Sequence, residues 1–513
     1  MTNAQRGPRA RADRASGGGH VAPLEHRLRA RRLMACLLAA LGFSAASLVA
    51  AQTAGAAALG TEISVYPAEQ PENGLTMARV RGEGASFTRI VFSWASIAPG
   101  RLPRGFDPAN PSEPRYRWGA LDRVVANAVA HGLEPVLDTT QPPAWAQLPQ
   151  GAGEQHPDPA QLGLFAHAAA AHYSGSQPGV PVVRYWAVWN EPNASLFLAP
   201  QIEGSRIVSV ETYRTMVNDF AAAVHGVRPD NVVIAGELFP NGINRQGTTA
   251  IAPLEFTRLM FCLSRESQPH RICNAQVAAD VWSVHPYSSG GPSTKPANPG
   301  NIWIANLRSL VELVRAGQRL GGIVSPHPVQ TWVTEFSWDS NPPDPRGVPA
   351  KLQQRWVAEA LYRSWQAQIN VFGWFLLRDQ PLSSSPFQSG LYFACSAGIY
   401  CDKPKRAASA FRFPFVAYPS SRHRTSTWGR TPGGVPGQVK LELRAGHSWR
   451  ILAVLRTDGD GIFTRRVKLP SNASMKWSLL RAVQVGGGSS PAFSLHHPRD
   501  IPVEPFGSAA TRR

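Results

Sequence analysis

The sequence predicts an α/β fold, a (β/α)8 TIM barrel, followed by a small all-β sandwich, and three observations carry this reading. Between residues 59 and 415, eight short apolar runs without helical period alternate with amphipathic stretches. Two of those runs end abruptly in a glutamate. Beyond residue 415 the pattern changes to alternating apolar and polar residues broken by Gly- and Asp-rich turns, as in short antiparallel strands.

The chain of 513 residues is too long for one ordinary core, and a barrel with a small extra module absorbs it. Its first 58 residues stand apart. Residues 1–32 are rich in Arg and Gly, and 33–50 (LMACLLAALGFSAASLVA) are uncharged, the n-region and h-region of a secretory signal with small-residue cleavage options at 49–51 or 54–56. The alternative is an uncleaved membrane anchor through 33–50, since about 18 apolar residues is the lower edge for spanning. Arg31 and Arg32 are explained by a basic n-region. The LMAC sequence opens the apolar run instead of closing it, unlike a lipoprotein box.

Candidate strands are 62–66, 88–93, 134–139, 182–189, 232–236, 280–285, 330–335 and 371–377. Helical stretches lie between them at 121–132, 159–173, 211–226, 253–263, 301–319 and 351–367, with Gly132 as a C-terminal stop for one of them. Loops at 101–117, 141–158, 286–300 and 339–350 are long and rich in Pro and Gly. All four follow strands, so they wall the face where barrel enzymes keep their chemistry. Residues 416–485 read as the sandwich and 486–513 as a flexible tail. Asp458 to Gly461 (DGDG) reads as a hairpin turn, because the flanking acids and helices of a calcium loop are missing.

Four cysteines follow the leader in two close pairs, Cys262 with Cys273 and Cys395 with Cys401. Local disulfides across short loops are the simplest of the three connectivities and suit an exported, secreted or cell-surface protein; unpaired thiols would suit a cytosolic one. No cysteine or histidine cluster has zinc spacing, and no cofactor is implied. The net charge of +18 is unevenly placed: 1–58 hold eight Lys and Arg against two acids, and 415–513 hold fifteen against five. The middle is nearly balanced, which argues against nucleic acid as a partner. A basic C-terminal domain on an exported protein suits anionic wall polymers or a membrane surface; the alternative is a solvated basic face.

Residues 182–193 read VVRYWAVWNEPN, a buried strand emptying into a loop at Glu191, and VQTWVTEF at 329–336 delivers Glu335 in the same way. By strand count these are the C-terminal ends of strands four and seven. A pair of carboxyls meeting there is what glycoside hydrolysis requires. One protonates the departing oxygen while the other faces positive charge developing at the anomeric carbon, so their pKa values must be pushed apart.

Arg89 near strand two, WNEPN after strand four, HPY after strand six, TEFSW after strand seven and a Trp on strand eight together resemble the retaining glycoside hydrolases of clan A. Family 39 and related bacterial cellulase-like barrels are the most similar. The resemblance covers about 59–415 and implies Glu191 as general acid/base and Glu335 as nucleophile. It implies Asn190 on the sugar 2-hydroxyl, Tyr287 donating to Glu335, and His285 supporting the acid/base or a sugar hydroxyl. Arg89 would lower the pKa of the nucleophile, and Trp374 would floor the sugar subsite just before a cis peptide. Trp94, Trp145 and Trp338 are further candidates for the sugar cleft. Phe336 and the Arg378–Asp379 pair depart from the pattern. The segment holding Trp449, TDGDGIF and Trp477 resembles bacterial immunoglobulin-like modules. The reaction expected is hydrolysis of O-glycosyl bonds in an oligo- or polysaccharide by double displacement. The alternatives are a non-catalytic polysaccharide-binding barrel and a transglycosylase on the same scaffold.

Overall fold

The computed structural model describes residues 58–503 apart from 68–69, 149–154, 246–247 and 384. The expected leader, save its last residue, lies outside the described residues, as does the end of the chain after 503. No described helix is long and apolar enough to cross a membrane.

Eight parallel strands close into a barrel: β1 (Gly60–Val65), β2 (Phe87–Ser93), β3 (Glu134–Thr140), β4 (Tyr185–Ala187), β5 (Val232–Leu238), β6 (Val281–Val284), β7 (Gln330–Val333) and β8 (Val371–Trp374). Each hydrogen-bonds the next in sequence, and β8 returns to β1. Among the described residues, seven helices of eight residues or more cross between the strands: α1 (Gly74–Gly82), α2 (Gly119–Ala130), α3 (Pro159–His172), α4 (Ser209–Val227), α5 (Pro253–Met260), α6 (Leu307–Arg319) and α7 (Ala350–Ala367). Their ends follow local chemistry. Asp158 caps α3 by accepting from the Ala160 amide with Pro159 at the first helical position, and Gly132 takes a positive φ of 70° just after α2.

Strand four is the shortest of the ring, Tyr185–Ala187 where 182–189 was expected. The chain stays extended beyond it, since the Val188 amide still donates to Ile234 O. It then turns at Glu191, whose φ is 42° and whose amide donates to Glu237 O.

Side chains alternate along each strand, so every second residue faces the barrel axis. Val136, Ala187, Ile234, Val281, Trp332 and Val371 make an apolar floor inside the ring. Two residues further along the same strands, the inward positions become Asp138, Ser283, Thr334 and Gly373. Inside the ring the polar side chains of these strands thus lie on the C-terminal side of the apolar floor.

After α8 (Arg406–Arg412) come β9 (Phe415–Ser421), β10 (Arg424–Arg430), β11 (Gln438–Ala445), β12 (Ser448–Arg456), β13 (Ile462–Lys468), β14 (Leu479–Gln484) and β15 (Phe493–Ser494). They form two antiparallel sheets, β9-β10-β13 and β12-β11-β14-β15. The stretch from 486, expected as a flexible tail, instead supplies β15. Arg355 on α7 holds it by donating to Ser494 O (2.8 Å) and His496 O (3.1 Å) and by lying 4.0 Å over the Phe493 ring. Its Gly- and Ser-rich opening hid that anchor. Asp458–Gly461 is a hairpin turn in which Asp458 Oδ1 accepts from the Asp460 and Ile462 amides. Among the described residues two disulfides are present, Cys262–Cys273 and Cys395–Cys401.

Candidate active site

The C-terminal mouth of the barrel holds a cleft of about 640 Å³ lined by Asn190, Glu191, Tyr287 and Glu335 among others. Glu191 leaves the barrel after β4 and Glu335 after β7. His285, just beyond β6, stands between them, its Nδ1 3.0 Å from Glu191 Oε1 and 3.7 Å from Glu335 Oε2. The nearest oxygens of the two carboxyls can be no further apart than those legs laid end to end, about 6.7 Å.

Each carboxyl has its own surroundings. Glu335 accepts from Arg89 Nη1 (2.5 Å), Tyr287 Oη (3.0 Å) and Tyr66 Oη (3.3 Å). Burial alone would raise its pKa, but the charges of His285 and Arg89 and these donors outweigh burial and hold it below the usual carboxylate range. Glu191 is displaced the opposite way. Burial raises its pKa, and its partner His285 only partly offsets that, while the negative charge of Glu335 adds to the rise. Burial works against a charge on His285, yet the two carboxylates raise its pKa. The arrangement thus favours one ionised acid and one protonated acid on either side of a single imidazole.

Arg89 is fully buried and serves more than Glu335. Its Nη2 donates to Asp138 Oδ2 (2.7 Å), Asn190 Oδ1 (3.1 Å) and Glu237 Oε2 (3.2 Å). Glu62 on β1 faces the same interior, and burial, the largest influence, drives the pKa values of Glu62 and Asp138 well up. Exposure separates these acids by task. Glu191 and Glu335 each keep 8% of their surface and line the cleft, whereas Glu62, Asp138 and Glu237 keep none and do not.

Sequence reasoning missed Asp138, Glu237, Glu62 and Tyr66. Asp138, inside the run EPVLDT, and Tyr66, at the end of EISVY, were open to the strand-end logic used for the glutamates. Glu237 was not. Simple alternation points Gly236 inward and Glu237 outward, but the β5–β6 register shifts between Trp282 and Val284. This bulge turns Glu237 to Arg89, and it requires Gly236, where φ is 96° and a Cβ would lie 2.5 Å from Ser283 O.

The tryptophans lie elsewhere than expected. On β8 the inward positions are Val371 and Gly373, so Phe375 enters the cleft while Trp374 faces outward. Trp374 is fully buried, packs near Phe336 and Phe411, and donates its indole N–H to Ser389 O. A cis peptide follows shortly after it, at Phe375–Leu376. Trp145 gives its N–H to Pro99 O and packs on Trp94 and Phe106. Trp338 donates to Gly290 O and packs on Phe336 and Trp356. Trp94 is buried against Phe165. None of these four is among the residues lining the cleft. No group of acids, His or Cys among the described residues has the arrangement of a metal site.

The fold and site together define a (β/α)8 barrel with a paired-carboxyl cleft at the ends of its strands. No protein-family model matches the sequence, and no curated protein does. Solved structures similar to it include a family 39 glycoside hydrolase from the gut symbiont Bacteroides cellulosilyticus WH2, at 14% identity over 81% of each chain and a TM-score of 0.46. Another is a GH30 endoxylanase from Clostridium papyrosolvens C71, at 10% identity over 81% of this chain and 96% of that one, TM-score 0.44. Thermotoga maritima Cel5A in complex with mannotriose is similar at 13% identity over 65% and 92% of the two chains, TM-score 0.38. At such identities none of their activities transfers to this chain.

Proposed function

We propose that the protein is an exported retaining β-glycosidase that hydrolyses O-glycosyl bonds. The observation that carries this is the pair Glu191 and Glu335 sharing one nitrogen of His285 while their pKa values move in opposite directions. In this reading Glu335, ionised by Arg89, Tyr287 and His285, attacks the anomeric carbon. The glycosidic C–O bond breaks as Glu191 gives its proton to the leaving oxygen. Glu191, now a carboxylate, takes a proton from water, whose oxygen bonds the anomeric carbon and frees Glu335. With their nearest oxygens at most about 6.7 Å apart, the two carboxyls have room to take the roughly 5–5.5 Å spacing of retaining enzymes. Asn190, whose Oδ1 is fixed by Arg89, is the donor offered to the sugar 2-hydroxyl.

Export accords with the two disulfides and the leader sequence. Exposed Arg450, Arg456, Arg465 and Arg466 on β12 and β13 support contact of the C-terminal sheets with an anionic wall polymer or membrane surface.

The test is the stereochemistry of the first product. With a panel of aryl β-glycosides followed by proton NMR, the β-anomer of the sugar is released first and then mutarotates. First appearance of the α-anomer removes the mechanism.

A further inference from the structure

Whatever leaves the anomeric carbon lies against the surface around the acid that protonates it. Around Glu191 that surface consists of the segment just after it and the segment beyond β5. Ala194, Leu196, Phe197, Phe239, Pro240 and Ala250 line the cleft there, and Gln155, Asn241 and Thr248 are the polar residues among them.

This wall is braced. Asn193, fully buried, accepts from the Phe239 amide and donates to Phe239 O and Ile251 O. The Ser195 amide donates to Thr249 O, and Ala194 bridges Ala250. Trp189 Nε1 fixes Phe197 O. Of the polar side chains, Asn241 has its Oδ1 taken by Asn301 and Trp303, which leaves its Nδ2 as a donor at the edge of a mainly carbon surface. At the rim Leu196 is 69% exposed.

A second sugar ring placed here would give up water from several hydroxyls and meet mainly carbon, and an unpaired polar group is costly. Phenylalanine faces can stack on sugars, but alanine, leucine and proline return nothing to a hydroxyl. An alkyl or aryl group gains from the same surface. We propose that the leaving-group side of this cleft takes an apolar aglycone, so that the substrate is a β-glycoside of an alkyl or aryl alcohol rather than a sugar joined to the next sugar of a polymer. This rests on the reading of Glu191 as the acid.

The experiment uses a series of n-alkyl β-glycosides, methyl to octyl, on whichever sugar the enzyme cleaves as its aryl glycoside. The leaving alcohols are nearly equal in acidity, so the chemistry stays constant while buried surface grows. The expected result is kcat/KM rising about fourfold per buried methylene until the wall is covered. Leu196→Asp, at an exposed position that folding tolerates, should lower the octyl-to-methyl ratio. A flat or falling series, or a disaccharide of the same sugar cleaved with higher kcat/KM than the octyl glycoside, overturns the inference and leaves the glycosidase standing. Failure of the wild type to cleave any glycoside overturns the glycosidase reading and takes the inference with it.

Discussion

His285 is the residue on which the two carboxyls depend. Its charge lowers the pKa of Glu335 and of Glu191 alike, so its removal changes when each acid is in its working form. Activity needs Glu335 ionised and Glu191 protonated. The kcat/KM profile should therefore be a bell whose acid limb lies below the ordinary carboxylate range and whose alkaline limb lies above it. In His285→Asn both acids lose a neighbouring cation and both pKa values rise, so both limbs should move to higher pH. A merely structural effect would lower the bell without moving it. Glu191→Gln should cost about a hundredfold to ten-thousandfold in kcat for glycosides of poor leaving groups and much less for activated aryl glycosides, measured as initial rates. Arg89→Met leaves Asp138, Glu237 and Glu335 facing one another without their shared cation. Urea unfolding at neutral pH should show a loss of at least about 3–5 kcal/mol. That loss should shrink as pH falls below the ordinary carboxylate range, where Glu335, held low partly by Arg89, takes up its proton and no longer needs the cation. Glu191 and Glu335 were readable because each ends an apolar run, whereas Arg89 and Tyr287 were named only through the family resemblance. Glu237 was hidden by a bulge, which no periodicity reveals.

Among the elements, the segment after β4 is tied to Phe239 and Ile251 by the side chain of Asn193. Asn193→Ala removes three hydrogen bonds that tie it to Phe239 and Ile251. Each group left unsatisfied costs about 1–3 kcal/mol, so a fall in stability of that order is expected, with faster hydrogen exchange at the Phe239 amide as its local signature. All eight barrel strands were legible, since each is a β-branched or aromatic run bounded by turn residues. The parity of β8 was not. Trp374 and Phe375 are adjacent, and only the register of Val371 beside Trp332 on the apolar floor decides which of them enters the cleft. The indoles of Trp145 and Trp338 were misjudged for a related reason. A flat ring that packs and one that stacks on sugar look alike until the partner of the N–H is known.

On the scale of the whole molecule, the sheets after residue 415 close over the barrel's last helix. Trp428 on β10 packs against Tyr362 and Trp365 of α7, Tyr418 lies beside Tyr362, and Arg355 ties β15 to the same helix. A barrel cut after residue 414 would expose that aromatic face. Such a fragment should aggregate on expression, whereas the intact protein should unfold in a single calorimetric transition. The sandwich was legible from its alternation, but its docking was not, because Tyr362 and Trp365 occupy a helix whose other aromatic, Trp356, serves the barrel core. The central claim, that Glu335 bonds the sugar while Glu191 moves the proton, is tested most directly by trapping. Incubation with 2-deoxy-2-fluoro β-glycosides bearing an activated leaving group, followed by peptide mass spectrometry, should place one glycosyl group on Glu335. A label on any other residue, or turnover with inversion, would contradict the account.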